Sequence, residues 1–152
     1  MQHLKQGRLR RLATQVATVA VIASAVVGVS AVPALAGGGK TMTVAKTERA
    51  ASLGRTVLAN TKGFTLYSLS VEPNGKFICT GTCLSIWHPL TVAAGVTPKG
   101  PVALGTVKRP EGTTQVTYKG LPLYTFNGDK APGQTRGQGI HDVGTWHAAT
   151  VR

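Results

Sequence analysis

Two acids, two cysteines and two histidines stand out in this chain, each within five residues of a tyrosine, tryptophan or glycine. Glu72 follows Tyr67 by five residues, and Asp129 follows Tyr124 by the same interval, 57 residues further on. Brought together, the two carboxylates would make an acid/base couple or a cation site. The competing reading is structural. Asp129 stands just after the turn dipeptide Asn127-Gly128, and acids at loop starts commonly satisfy backbone N–H groups. On that reading Asp129 ties down the Lys130–Gly133 loop, with a tyrosine hydroxyl as its buried partner.

Cys79-Thr80-Gly81-Thr82-Cys83 holds the only two cysteines. In an exported chain the expected state is an intramolecular disulfide, and Gly81 lets the backbone turn tightly enough to form it. So short a loop adds only about 2 kcal/mol by chain entropy, so the bridge shapes a loop more than it holds the fold. The alternative groups Cys79 and Cys83 with His88 as a copper(I) site or a thiol redox pair. Trp87-His88 and Trp146-His147 form another matched couple. Each tryptophan is read as a packing anchor. Neighbours on a strand face opposite ways, which leaves each histidine on a surface, free to meet a metal or an anion. His141 is a third histidine, in a loop. No Gly-x-Ser-x-Gly elbow or His-Glu-x-x-His pair is present, and the Gly-rich Pro132–Gly139 loop lacks a phosphate-binding signature. The chain is therefore expected not to be an enzyme, and no cofactor is implied outside the copper alternative.

The elements that position these residues come in two copies. Thr61-Lys62-Gly63-Phe64-Thr65-Leu66-Tyr67-Ser68-Leu69 returns as Tyr118-Lys119-Gly120-Leu121-Pro122-Leu123-Tyr124-Thr125-Phe126, offset by 57. A duplicated supersecondary unit cannot bury its apolar face alone, so the copies should complete each other. Helical periodicity is absent after Gly39, and short apolar runs alternate with turn signals. Strands are predicted at 41–45, 55–59, 64–69, 102–108, 113–118, 121–126 and 145–151. Hairpin turns fall at Thr61-Lys62-Gly63, Pro110-Glu111-Gly112 and Lys119-Gly120. A short helical turn is allowed only at Ser85–His88. The fold class is all-β: two tandem antiparallel β-meander repeats, about 50–92 and 100–151, packed into one small domain. Residues 37–49 supply a flexible leader and a first strand.

The N-terminus has the three parts of a secretory signal: basic residues within 1–11, an apolar stretch from Leu12 to Val32, and Pro33-Ala34-Leu35-Ala36. A signal helix cleaved near Ala36 is expected, giving a secreted or envelope-associated protein. An uncleaved anchor is the alternative, because the apolar stretch could span a bilayer at the roughly 20 residues required. Beyond residue 36 the chain keeps thirteen Lys and Arg against five acids, a formal charge of +8. That excess suits anionic wall or membrane-surface polymers. Nucleic acid is disfavoured, since the basic residues are scattered and not interleaved with aromatics.

Leu123-Tyr124-Thr125-Phe126-Asn127-Gly128-Asp129 resembles the motif of a family of bacterial secreted repeats and lipoproteins, Tyr-x4-Asp or Tyr-x-(Phe/Trp/Tyr)-x-x-Asp. Tyr67-Ser68-Leu69-Ser70-Val71-Glu72 resembles it less closely, with Leu69 for the aromatic and Glu72 for the acid. Cys79–Cys83, Trp87-His88-Pro89-Leu90 and Gly137-Gln138-Gly139 before Trp146-His147 look like the family too, except that His88 stands where a proline is expected. The likeness covers nearly all of 50–151. It implies an exported repeat protein and no established activity. The chain thus reads as a secreted, non-catalytic binding protein of the envelope or extracellular medium, with Tyr67, Glu72, Trp87, His88, Tyr124, Phe126, Asp129, Trp146 and His147 as candidate binding residues.

Overall fold

The computed structural model describes residues 39–152; the N-terminal segment read above as a secretory signal, with its expected cleavage near Ala36, lies outside them. Twelve short strands follow in order: β1 Thr41–Thr43, β2 Ala45–Ala50, β3 Arg55–Asn60, β4 Leu66–Leu69, β5 Trp87–Pro89, β6 Thr91–Val92, β7 Thr97–Lys99, β8 Gly105–Lys108, β9 Thr114–Tyr118, β10 Leu121–Pro122, β11 Tyr124–Phe126 and β12 Trp146–Ala148. The all-β expectation holds. Short 3-10 turns are the sole helical elements among the described residues, and none could cross a membrane.

The turn chemistry acts where the sequence places it. Lys119 and Gly120 both take positive φ, 51° and 77°, and form the two-residue loop of the β9–β10 hairpin, with Tyr118 opposite Leu121. Asn60 closes the turn between β3 and β4: its Oδ1 accepts the N–H groups of Lys62 and Phe64 at 3.0 and 3.1 Å. The expected helical turn over Ser85–His88 is displaced. A 3-10 turn covers Gly81–Ser85, and Trp87-His88 is strand. Pairing with β11 draws the Trp-His pair into the sheet, which outweighs any local helical preference. β7 had no clear signal, and it pairs in parallel with β1, Met42 opposite Pro98.

The central sheet has the order β12-β4-β11-β5. β4 and β5 come from the first repeat, β11 and β12 from the second, so all three ladders join one repeat to the other. Tyr67 lies opposite Tyr124 at the middle. β12 then sets Trp146 opposite Leu69, and β5 sets Trp87 opposite Phe126, an approximate twofold arrangement. The repeats are interlocked through strand exchange. Leu123 marks a change of sheet: β10 before it pairs with β9, and β11 after it joins the central sheet.

Alternation across the central sheet divides the core in two. Tyr67, Leu69, Tyr124, Trp87 and Trp146 pack on one face with Ala50, Val57 and Cys79. Leu66 and Leu123 point the other way, into a cluster with Val44, Leu58, Val92 and Val116. Burial on both faces explains why Leu66–Leu69 is buried at every position.

Candidate functional site

The tyrosines and acids that the repeat places at matched positions meet crosswise. Tyr67 Oη donates to Asp129 Oδ2 at 2.7 Å, and Tyr124 Oη donates to Glu72 Oε2 at 2.8 Å. Each hydroxyl thus reaches the acid of the other repeat. The second oxygen of each acid turns to its own repeat. Glu72 Oε1 accepts the N–H groups of Ile78 and Cys79, both at 2.6 Å, and Asp129 Oδ1 accepts that of Arg136 at 2.9 Å. Cys79 and Arg136 are themselves 57 residues apart. One device therefore occurs twice: a buried carboxylate that clamps a downstream loop and takes a hydrogen bond from across the sheet. Asp129 clamps further along than the expected Lys130–Gly133 stretch; Gln134 Oε1 holds that stretch, accepting from the Lys130 N–H at 2.6 Å.

The pairs are electrostatically unequal. Burial, then the hydrogen bond and charge of Asp129, raises the Tyr67 pKa far above its ordinary value. Tyr124 is raised by burial and by the charge and hydrogen bond of Glu72, against the opposing pull of Arg109. Burial raises Asp129, while the Tyr67 hydroxyl and the Arg136 amide partly offset it. Arg109 is the unforeseen member. It stands before Pro110 and reads as a turn residue, yet it is buried, donating to Tyr124 Oη at 3.0 Å, Gln115 Oε1 at 2.6 Å and the Cys79 carbonyl at 2.8 Å. Burial pulls its pKa down, but hydrogen bonding to Glu111 and Tyr124 outweighs this and raises it. Its guanidinium also lies 4.6 Å from the Phe77 ring centre. Gln115 is equally unforeseen; its Nε2 donates to the Leu123 carbonyl at 2.7 Å. A lone Arg or Gln in a β segment carries no local sign of burial.

Around these pairs the aromatic side chains close the core. The Trp87 and Trp146 rings stack 3.7 Å apart and 8° from parallel, on the line where the repeats meet. Tyr67 stands edge-on to Trp87 at 5.4 Å, Tyr124 edge-on to Trp146 at 5.2 Å, and Phe126 covers Trp87 at 4.5 Å. Gly137 fits against this cluster; a Cβ there would come within 2.7 Å of Trp87 and 3.0 Å of the Tyr67 ring. No buried side-chain polar atom lacks a partner among the described residues. The tyrosine–acid sites are thus internally saturated, and neither carboxylate faces an open cleft as a free base.

His88 and His147 are exposed, on the face away from their tryptophans, as strand alternation requires. They occupy the two edge strands, three strand spacings apart, roughly 14 Å, and share no site. Cys79 and Cys83 are joined as a disulfide. Neither sulfur offers a thiolate, and His88 points away from the face on which Cys79 packs, so the copper grouping gains no support. Among the described residues, no three His, Cys, Asp or Glu side chains cluster closely enough to hold a metal ion.

A family model described as a secreted repeat of unknown function matches residues 105–150. That span is the second repeat, β8 to β12, and contains Tyr124 and Asp129. The match agrees with a secreted protein in an extracellular or envelope location. No curated protein and no solved structure matches the chain.

Proposed function

We propose that the protein is a secreted, non-catalytic module that attaches to anionic polymers of the cell envelope through its basic surface. The observation that carries this reading is how the fold sorts its charges. Of the five acids, Glu72 and Asp129 are withdrawn into the core, while of the thirteen described Lys and Arg only Arg109 is buried. Twelve exposed cations remain against three acids, Glu48, Glu111 and Asp142. Two of those acids are engaged: Glu48 pairs with Lys46 at 3.3 Å, and Glu111 with Arg109. The surface is therefore more cationic than composition alone implies, and a field of one sign draws polyanions. Saturation of the tyrosine–acid pairs supports a structural duty for the motif and leaves binding to the exterior.

The test is retention of the secreted protein on isolated envelopes and on immobilised polyglycerol phosphate. Binding at low ionic strength should be released by salt, since screening shortens the reach of charge from about 10 Å at 0.1 M to about 3 Å at 1 M. Retention that persists unchanged at the higher salt overturns the proposal.

A further inference from the structure

The same clamp holds different chemistry in the two repeats. Glu72 fixes the backbone at Cys79, whose sulfur is tied into the bridge; Asp129 fixes the equivalent backbone at Arg136, whose guanidinium is exposed. Arg136 makes no ion pair among the described residues, and it lines a cleft of about 410 Å³ with Ser52, Gly133, Gln134 and Thr135. That volume falls within the range of small-molecule sites, about 300–1,000 Å³.

The walls are held in place from behind. Thr65 Oγ1 donates to the Gln134 carbonyl at 2.7 Å, and the Gly133 N–H reaches the Gly63 carbonyl at 3.2 Å. Gln134 Oε1 is occupied by the N–H groups of Lys130 and Ala131, which leaves its amide N–H₂ without an acceptor among the described residues. Ser52 Oγ and Thr135 Oγ1 share a hydrogen bond of 2.7 Å at the exposed rim. Glu48, packed beside Gly133, is drawn toward Lys46. The cleft is thus lined by a guanidinium, a carboxamide and two hydroxyls, with Gln134, Thr135 and Arg136 on a preorganised loop and Ser52 on the 3-10 turn between β2 and β3.

We propose that this cleft binds an acidic group carried on a hydroxylated unit, with the Arg136 fork holding a phosphate or carboxylate and Ser52 and Thr135 meeting sugar or polyol hydroxyls. The inference rests on the reading of the protein as a binder of anionic envelope polymers and names the site that reads one repeating unit. A free sugar acid or sugar phosphate has the same chemistry.

Amide ¹H–¹⁵N NMR of the secreted protein tests it, with glucose 6-phosphate, glucuronate, neutral glucose and soluble polyglycerol phosphate as probes. The acidic probes should give saturable shifts confined to Ser52 and Gly133–Arg136, and Arg136→Gln should weaken them by about tenfold or more. Lys108→Gln removes an equal charge elsewhere and should leave those shifts nearly intact. Tighter binding of polymer than of monomer per acidic unit identifies the polymer as the source; equal binding identifies the free small molecule. Shifts spread over the exposed lysines, with both variants equally weakened, overturn the cleft while leaving charge-driven attachment standing. Glucose shifting the same amides as strongly as the acids also overturns it. Failure of the polymer to bind while the acidic monomers still shift the cleft amides removes attachment to envelope polymers and leaves the cleft as a site for the free acid. Failure of polymer and monomers alike removes both proposals.

Discussion

Each buried hydroxyl–acid pair is a place where one atom carries a measurable share of stability. Tyr67→Phe removes the sole side-chain donor to Asp129 and strands a buried oxygen; a loss of about 1–3 kcal/mol in urea unfolding is expected. Each change also removes an acceptor, that of the Gly137 N–H at Tyr67 and that of Arg109 at Tyr124, and Tyr124→Phe should cost more because the donor it strands is a buried guanidinium. Alkaline titration is the second residue-scale prediction. Both tyrosines have raised values in the fold, so the unfolded chain ionises first, near its ordinary value of 10.0. Their contribution is intact below that pH and drains away above it, by up to about 1.4 kcal/mol per pH unit for each tyrosine. Tyrosinate absorbance from Tyr67 and Tyr124 should therefore rise together with loss of the folded signal in circular dichroism. Ionisation of both within an intact fold would contradict the pairing. Asp129 has the same sign at the acidic end: raised by burial, it favours the fold below its ordinary 3.8 and gives up that share as pH climbs through its raised value. The intervals between tyrosine and acid were legible in the chain. Which hydroxyl meets which carboxylate was not, because the partners are 62 and 52 residues apart and local spacing cannot choose between them.

At the scale of elements, the strands that the turns delimit were largely readable, and the extra ones are those made by neighbours. β5 exists because β11 offers it a ladder, His88 opposite Thr125; without that partner the segment is a short loop after a cysteine turn. Two variants probe the loops that the acids clamp. Replacing Cys79 and Cys83 by alanine opens a loop of few residues, so the protein should stay folded and lose about 2 kcal/mol by chemical denaturation. Gly137→Ala places a methyl where the Trp87 and Tyr67 rings already stand, and its backbone N–H approaches Tyr67 Oη at 3.3 Å. A loss of about 1–3 kcal/mol is expected there, accompanied by changed near-ultraviolet dichroism from the disturbed indole stack.

For the whole molecule, the exchange of strands makes a strong prediction. Since every ladder of the central sheet crosses the repeat boundary, neither residues 39–100 nor 101–152 should fold alone. Far-ultraviolet dichroism of each separate half should show an unfolded chain, and mixing the halves should restore β signal. A folded single half would remove the interlocked account. What the amino-acid sequence determined by itself is whatever is local or periodic: the repeat, the hairpin turns with their positive φ, the proximity of the two sulfurs, and the opposite facing of each Trp and its His. These follow from backbone sterics and the two-residue period of a strand, and need no knowledge of what lies across the sheet. Only the tertiary structure decided that the acids pair crosswise, that Arg109 and Gln115 go inside, and that the exterior becomes more basic than the composition. Those outcomes depend on long-range strand order, since a polar side chain enters the core only where distant strands bring it a complete set of partners.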